Sequence, residues 1–524
     1  MESPQVKGLG SISSEDLGKT VSASCLITGI RQTKGPTVFT LSDATSTIQA
    51  KSFSGKAGDR AHPELAKGMA ISATFLVREY NNSLEGELKE YAQLGDDQAK
   101  QLESAVKERK ASRAEPFSPP FLTKSGILEK MRERFAGAAR MIRTAVMDRR
   151  PIIVRHHGDA DGYCAAVAIE RAVIPMICDQ HDDKGAGFRL YKRSPSRTPF
   201  YSYEDASKDV AFMLDDEVRF GSKRPLVIVT DNGSTDEDLP ALEKVHAVDC
   251  DIIVLDHHDP GELVEGKVAA DSFVKVHINP HLVGGDSSIS AGMLCAELAR
   301  FINDKTEGLV LIAAVAAIAD RCEGEERDAI VKLASAEIDE AHLAMRADVL
   351  DFETHTLKFI EGRTYMDRLL SPGDEAMDRL VESIFKRLSR RKEQLLADAR
   401  EYETVAEREN YLLVTLDSYG MVSRSDFPTP SKVVSMVRDA VEDETGMPVV
   451  ALGLGDDIVT FRFSKQLDFD ANAIMVSLKG ALPHAGIEGG GHARAASMRF
   501  HPIARAKVVE KLLSVFSVQN IPAD

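Results

Sequence analysis

The middle of the chain alternates between two hydrophobic rhythms. Short apolar runs rich in β-branched residues, PIIVRHH (151–157), PLVIVTD (225–231), DIIVLDHH (251–258) and VKVHINP (274–280), read as strands. Runs of this kind suit a parallel sheet covered on both faces. GYCAAVAIERAVI (162–174), SISAGMLCAELARFI (288–302) and GLVLIAAVAAIAD (308–320) carry apolar residues at helical spacing. The resulting order, β-α-β-β-α, is that of an open, wound, mostly parallel α/β sheet.

The flanks follow other patterns. Residues 17–95 alternate or run β-rich between turns of Gly, Asn and Pro. About five short strands with the hairpin TLSDATSTIQA fit a small β-barrel of the oligonucleotide/oligosaccharide-binding (OB) type. Phe39, Phe53 and Tyr80 are then either stacking platforms for bases or core residues of the barrel. Residues 97–122 are polar, then proline-rich, and read as a helix running into a linker. Helical spacing resumes at Ser125, a plausible N-cap. Residues 323–410 are charged, poor in Gly and Pro, and predict helices; residues 411–515 return to mixed α/β. No internal repeat is evident. The expected organisation is a nucleic-acid-binding barrel over 1–100, a linker over 101–124, the α/β core over 125–345, a helical connector over 346–410 and a smaller C-terminal α/β domain over 411–524.

Composition narrows the function classes. A length of 524 residues agrees with several domains, and 43% apolar residues suffice for ordinary cores. No apolar stretch approaches the length of a bilayer span, and the N-terminus lacks a signal-peptide pattern. Cys25, Cys164, Cys178, Cys250, Cys295 and Cys322 form no CxxC pair, which points to reduced thiols in a cytoplasmic protein. The net charge of −17 disfavours passive coating of nucleic acid. It leaves room for local basic patches, or for metal ions that invert the local field.

The strand ends share a chemistry. The first leads into His157-Gly158-Asp159-Ala160-Asp161-Gly162, the next into Asp231-Asn232-Gly233, the third into Asp256-His257-His258. Ligands of wound sheets bind at the carboxyl ends of strands, so these residues converge. Clustered carboxylates repel one another unless a cation sits among them. Each of DADG and TDNGS alone is ordinary turn chemistry; all three groups in order, with a double histidine, are not. Oxygen and imidazole ligands without thiolate favour Mn²⁺ or Mg²⁺ over zinc, and the number of carboxylates suggests two ions. Asp320 closes an apolar helix at the end where a carboxylate opposes the helix dipole, a placement that a nearby cation explains.

HGDADG, TDNGS, DHH and AAIADR closely resemble the four motifs of the DHH phosphoesterases, and GGGHARAAS resembles the Gly-rich loop of the DHH-associated C-terminal domain. In the family's order they span residues 151–500. Within the family the chain looks most like the RecJ-like nucleases, particularly the archaeal type with His-x-Asp-x-Asp-Gly. The resemblance implies that His157, Asp159 and Asp231 hold one ion, and that Asp161, Asp231, His257 and Asp320 hold the other, with Asp231 bridging. It implies that His258 contacts the scissile phosphate and that Asp256 orients a histidine. Bacterial RecJ proteins typically have aspartate where His157 stands, so their substrate detail does not transfer. The C-terminal loop would bind phosphate or a strand end through Gly490, Gly491, His492 and Arg494, with Arg462 and Ser464 resembling an element that precedes it.

Two basic runs can track a phosphate backbone or merely face solvent: Arg189, Lys192, Arg193 and Arg197, and Lys386, Arg387, Arg390, Arg391 and Lys392. Cys178 and His181 have loose metal spacing, but two ligands do not make a site. The leading expectation is a metal-dependent phosphodiesterase acting on single-stranded DNA or RNA from an end, with replication or repair proteins as further partners and no membrane. The alternatives are a phosphodiesterase of short oligonucleotides or cyclic dinucleotides, and a replication-fork scaffold with residual nuclease activity. Polarity, DNA against RNA, and oligomeric state stay open.

Overall fold

The computed structural model describes residues 4–54, 59–80, 83–181, 184–196, 198–357, 360, 362–371 and 373–516. It forms two compact units: Met1–Pro116 with Ala139–Arg149 and Met176–Gly187, and the remainder.

In the first unit five strands close into an OB-like barrel: β1 (Thr20–Gln32), β2 (Thr37–Ser42), β3 (Thr47–Ser52), β4 (Ala70–Tyr80) and β5 (Ser83–Gln93). Their order is β1-β2-β3-β5-β4, and β4 returns to β1. Alternate residues of β1, Val21, Ala23, Cys25 and Ile27, point into the core. Gly86 is required where β5 crosses β4, because a Cβ there would lie 2.8 Å from the Phe75 ring. Phe39 is fully buried and belongs to the core, which removes it as a stacking platform. Phe53 and Tyr80 are 66% and 58% exposed, and Lys51 Nζ lies 3.9 Å from the Tyr80 ring centroid. The polar stretch after the barrel is helix α1 (Asp96–Ala114), whose Arg109 donates to the carbonyls of Asp43 and Ser46. Cys178 and His181 take different partners, the Lys184 carbonyl and the Val146 carbonyl, and form no metal cluster among the described residues.

Helix α2 (Gly126–Met147) starts where expected, with the Ser125 hydroxyl accepting from the Leu128 amide. In the second unit strand β6 (Ile152–His156) leads into helix α3 (Ala160–His181), which runs on into the first unit. Strand β7 (Tyr191–Pro195), helix α4 (Tyr203–Phe220), strand β8 (Leu226–Thr230), helix α5 (Leu239–His246), strand β9 (Asp251–Leu255) and strand β10 (Val276–Ile278) follow. The sheet order is β10-β9-β8-β6-β7, and every pairing is parallel. β7, α4 and α5 are additions to the expected order. YKRSP has no apolar run to announce a strand; it joins the sheet because Arg193 is buried, 3.6 Å from Glu170 and over the Tyr163 ring. Arg193 is therefore a core residue, whereas Arg189 and Lys192 are exposed and Arg197 lies outside the described residues.

Helices α6 (Ala291–Ile302), α7 (Leu309–Ala319), α8 (Glu325–Ala334), α9 (Glu340–Leu357), α10 (Arg363–Leu369) and α11 (Glu375–Tyr402) come next. The helical run stops at Tyr402. Strand β11 (Thr404–Glu407) opens a mixed sheet with β12 (Leu412–Leu416), β13 (Val449–Leu454), β14 (Ile458–Phe463), β15 (Glu488–His492) and β16 (Ala495–Arg499), in the order β11-β12-β13-β14-β16-β15. Helix α12 (Pro430–Thr445) packs on one face; α13 (Ala471–Ala481) and α14 (Arg505–Val515) pack on the other. No helix among the described residues is long and apolar enough to cross a membrane.

Candidate metal centre and its cleft

Strand register builds the site. His156 pairs with Thr230, Thr230 with Leu255, and Leu255 with Ile278. The next residues therefore leave the sheet along one edge, fixed by three backbone bonds. His157 N–H donates to Thr230 O (3.3 Å), Asp231 N–H to Leu255 O (2.9 Å) and Asp256 N–H to Ile278 O (3.0 Å). The turns are tight enough to need glycine. A Cβ on Gly162 would lie 2.3 Å from the His157 carbonyl oxygen, and Gly233 has φ +103° between Val229 and Val254. Asp231 itself adopts φ 56°, a strained conformation for a non-glycine that aims its carboxylate into the cluster.

Asp231 is the hub. His157 Nδ1 lies 2.9 Å from Asp159 Oδ2 and 3.5 Å from Asp231 Oδ2. On the other side His257 Nε2 lies 3.4 Å from Asp231 Oδ1 and 3.9 Å from Asp161 Oδ2. Asp320, the C-cap of α7, meets the opposite edge of that ring, its Oδ2 3.7 Å from His257 Nδ1. Asp161 also accepts the first amides of α6, from Ala291 and Gly292, at 2.9 Å each. Proton affinities record the crowding. Burial, then the charges of Asp231 and Asp320, push the Asp161 carboxyl well above its usual range. Burial pushes Asp320 up to about 6, with His257 opposing and Asp231 and Asp159 adding. Burial opposes charge on His157 and His257, yet Asp159 and Asp320 respectively raise both well above an ordinary imidazole.

The double histidine has two duties. Asp256, fully buried, accepts the amides of His257 (2.8 Å) and Ser234 (3.1 Å) and the His258 Nδ1–H at 2.7 Å. Burial opposes the Asp256 charge, but His258 and His257 hold the carboxyl far below its usual range. Asp256 raises the His258 imidazole in return, against burial. Behind it runs a chain that sequence reasoning missed. Asp271 bonds His277 Nδ1 (2.8 Å), His277 Nε2 bonds the Ser234 hydroxyl (2.9 Å), and Asn279 donates to that hydroxyl (3.1 Å) and to the His258 carbonyl (2.9 Å). The only trace in the sequence was the polar residues of TDNGS and VKVHINP, at the ends of strands otherwise apolar.

The C-terminal domain supplies the facing wall. GIEGGGHARAAS forms a β-hairpin, β15 and β16, not an open loop. It brings the His492 ring parallel to His258, centroids 4.9 Å apart at 18°, and 5.3 Å from His257. Burial, then His258 and His257, hold His492 down to about 2, which favours a neutral ring against His258. A Cβ on Gly490 would point toward Glu237, 3.9 Å from Oε1, and the Asn472 side chain donates to the Gly491 carbonyl. Arg494 is exposed, its carbonyl bonded to the Phe463 amide. Arg462 donates to Ser435 and to main-chain carbonyls, whereas Ser464 is 1% exposed and occupied by Glu442 and the Val449 amide.

A model of the DHH family's N-terminal domain matches residues 151–319, the segment that carries this centre apart from Asp320 and His492. An uncharacterised protein of Methanocaldococcus jannaschii is 36% identical over 514 residues, 93% of this chain and 67% of that relative. The chain belongs to the DHH family. The DHH family includes metal-dependent phosphoesterases, and non-catalytic members as well. The solved DHH domain of a member of the s1p family of ribosomal proteins is 36% identical, with a TM-score of 0.77 over 80% of this chain and 99% of that one. RecJ of Thermus thermophilus, solved with Mn²⁺, shares the fold: 16% identity, TM-score 0.51, 79% of this chain and 60% of that one.

The donor set fits the ions such a family requires. Among the described residues, Asp231 Oδ2 and His257 Nε2 are buried without a hydrogen-bond partner, a costly state for polar atoms unless a cation completes it. His157 with Asp159 and Asp231, and Asp231 with Asp256, His257 and His258, bring ligand atoms within 4.8 Å of one another. Oxygen and imidazole donors of this kind suit divalent ions such as Mn²⁺ or Mg²⁺.

Proposed function

We propose that the protein is a two-metal phosphodiesterase that removes nucleotides from an end of single-stranded DNA or RNA, in replication, repair or RNA turnover. The observation that carries this reading is the Asp231 hub, a strained and buried aspartate with an orphaned oxygen between two histidine–carboxylate pairs. His157, Asp159 and Asp231 would hold one divalent ion; Asp161, Asp231 and His257, with Asp320 beside them, would hold the second. Bound there, the ions supply an acidified water as nucleophile and neutralise charge on the phosphoryl oxygens.

The chain's own residues then have distinct parts. Asp256 takes the His258 Nδ1–H, which fixes the tautomer and turns Nε2 toward the cleft. With its charge sustained by Asp256, His258 donates from Nε2 to a phosphate oxygen and offsets the charge that builds there. His492 shields that contact from water by lying flat on the ring. The hairpin amides of Gly490 and Gly491, with Arg494, hold the strand's phosphate or its end. In the barrel the exposed Phe53 and Tyr80, with Lys51 beside Tyr80, grip bases and backbone.

The contact between His492 and both motif histidines encloses the centre, which favours a second reading: phosphodiester cleavage of short oligonucleotides. A series of labelled single strands from dimers to about 30 nucleotides, with Mn²⁺, separates the two. Efficiency that rises with length supports the polymer reading; preference for dimers supports the second. A pure scaffold role is disfavoured because every motif carboxylate is present in the sequence.

A further inference from the structure

Three imidazoles meet in the cleft, and the chemistry above gives His492 only a shielding part. His257 and His258 follow strand β9, and His492 ends strand β15 of the hairpin that faces them. Each offers a ring nitrogen, and the three nitrogens lie within 4.8 Å of one another. The ring centroids stand 4.7 Å (His257–His258), 4.9 Å (His258–His492) and 5.3 Å (His257–His492) apart. His257 is buried; the other two are half-buried and open to solvent.

Their remaining bonds leave these nitrogens free. Asp256 holds His258 Nδ1 at 2.7 Å, so Nε2 is the open end of that ring. Among the described residues His257 Nε2 has no hydrogen-bond partner, and the His492 ring has only its contacts with the other two rings. Stacking accounts for the parallel pair, His258 on His492. It does not account for a third imidazole whose nitrogen comes within reach of the same point.

This donor set differs in kind from the Asp231 centre. Carboxylate oxygens suit Mn²⁺ and Mg²⁺, whereas imidazole suits Zn²⁺. Three protein nitrogens with a fourth position left to water make a complete tetrahedral zinc shell. Asp256 behind His258 is the carboxylate that orients such a ligand. Zn–N bonds of about 2.0–2.1 Å put ligand nitrogens about 3.4 Å apart, so the rings need to draw together by no more than about 1.4 Å. Gly489, Gly490 and Gly491 lead directly to His492 and give the hairpin that freedom.

We propose that His257, His258 and His492 form a Zn²⁺ site that competes with the working state of the cleft. His257 belongs to this set and to the Asp231 set, so the two contend for it. An ion here also occupies His258 Nε2, the atom that the nuclease reading turns to the phosphate, and fastens the hairpin over the centre. Zn²⁺ is therefore an inhibitor of Mn²⁺-supported cleavage. That consequence rests on the nuclease reading; the site itself rests on the three rings.

The test uses the full chain, stripped of metal by a chelator, with Co²⁺ as a coloured stand-in for Zn²⁺. Tetrahedral Co²⁺ absorbs visible light far more strongly than the six-coordinate ion that a carboxylate-rich site favours. The wild type should show the strong band, and added Zn²⁺ should bleach it. His492→Asn should lose the band and bind Zn²⁺ about tenfold more weakly. His492→Cys should keep it and gain a thiolate-to-cobalt charge-transfer band in the near ultraviolet. Melting curves check that both variants fold, and if the Asn variant does not, the Cys band decides. A visible band of equal strength in wild type and folded His492→Asn, or a folded His492→Cys without charge transfer, overturns the site. Cleavage is the second arm, each variant measured against its own zinc-free rate. The Zn²⁺ concentration that halves Mn²⁺-supported activity should rise about tenfold in His492→Asn, and equal sensitivity refutes the inhibitory role. A wild type that cuts no strand yet shows the cobalt band fails the nuclease reading and leaves the site standing; an active wild type without the band does the reverse.

Discussion

The two walls of the cleft are built on opposite principles. The Asp256–His258 wall is buried, and nearly every polar atom behind it is bonded: Asp256 to four N–H groups, Ser234 to His277 and Asn279, Asn279 to the His258 carbonyl. The Gly490–His492 wall is a short glycine hairpin, Gly490 exposed and Gly491 half-buried, with Asn472 holding Gly491. One wall fixes a ring to within a hydrogen bond's tolerance; the other offers bare backbone that a phosphate can approach. On the proposed function, the difference assigns chemistry to the first wall and the holding of substrate to the second. Catalysis needs groups preorganised by a supporting shell, whereas binding tolerates adjustment.

The sharpest way to break this comparison is His258→Ala. It should lower kcat about 10²–10³-fold while Mn²⁺ binding, followed by calorimetry, persists. A loss confined to KM would move His258 to the binding wall. Asp256→Asn comes next. It leaves the shape intact but removes the charge that sustains His258 and leaves a single acceptor oxygen for the N–H groups of His257, His258 and Ser234, so kcat should fall about 10–100-fold. A pH–rate profile should shift the His258 limb downward, since Asp256 is what raises that ring. An unshifted profile would sever the two residues.

Proton competition gives a third, intermediate test. Asp320 has its carboxyl raised from 3.8 to about 6, and Asp161 is raised as well. A raised acid favours the folded chain at low pH, and that contribution is lost as pH rises through the folded value. The metal-free chain should therefore lose stability between about pH 4 and 6 from Asp320, and Mn²⁺ should raise the melting temperature more at about pH 7.5 than at about pH 5.5. Affinity should fall about tenfold per pH unit for each proton displaced. A metal effect independent of pH would argue that these carboxylates do not ligate. The smallest effect is expected at Gly490→Ala, where the added methyl would approach Glu237. KM for a strand should rise a few-fold, with kcat nearly unchanged; a large fall in kcat would assign the hairpin to chemistry.

The same contrast explains what the sequence revealed. Asp159, Asp231 and His257 were legible because they end apolar strands, and parallel register must carry consecutive strand ends to one edge. Asp231 as hub, its strained backbone and the one-sided placement of Asp320 on His257 were not, since they depend on how α7 docks. Ser234, His277 and Asn279 were invisible because each is a common polar residue whose meaning lies in its partner. β7 was missed because Arg193, buried by Glu170 and Tyr163, reads in sequence as part of a basic surface run. The hairpin passed for a loop because glycines carry no strand signal, and Phe39 turned inward where Phe53 turned out, a choice made by barrel register alone.

The central claim is that Asp231 organises a metal-dependent centre for cutting single strands. It is tested most directly by incubating 5′- and 3′-labelled single-stranded DNA and RNA with Mn²⁺ and either wild-type protein or Asp231→Ala. The account predicts progressive shortening from one end by the wild type, none by the variant, and strand binding by both. Cleavage retained in Asp231→Ala, or a wild type inert toward every strand with Mn²⁺ and Mg²⁺ alike, would contradict it.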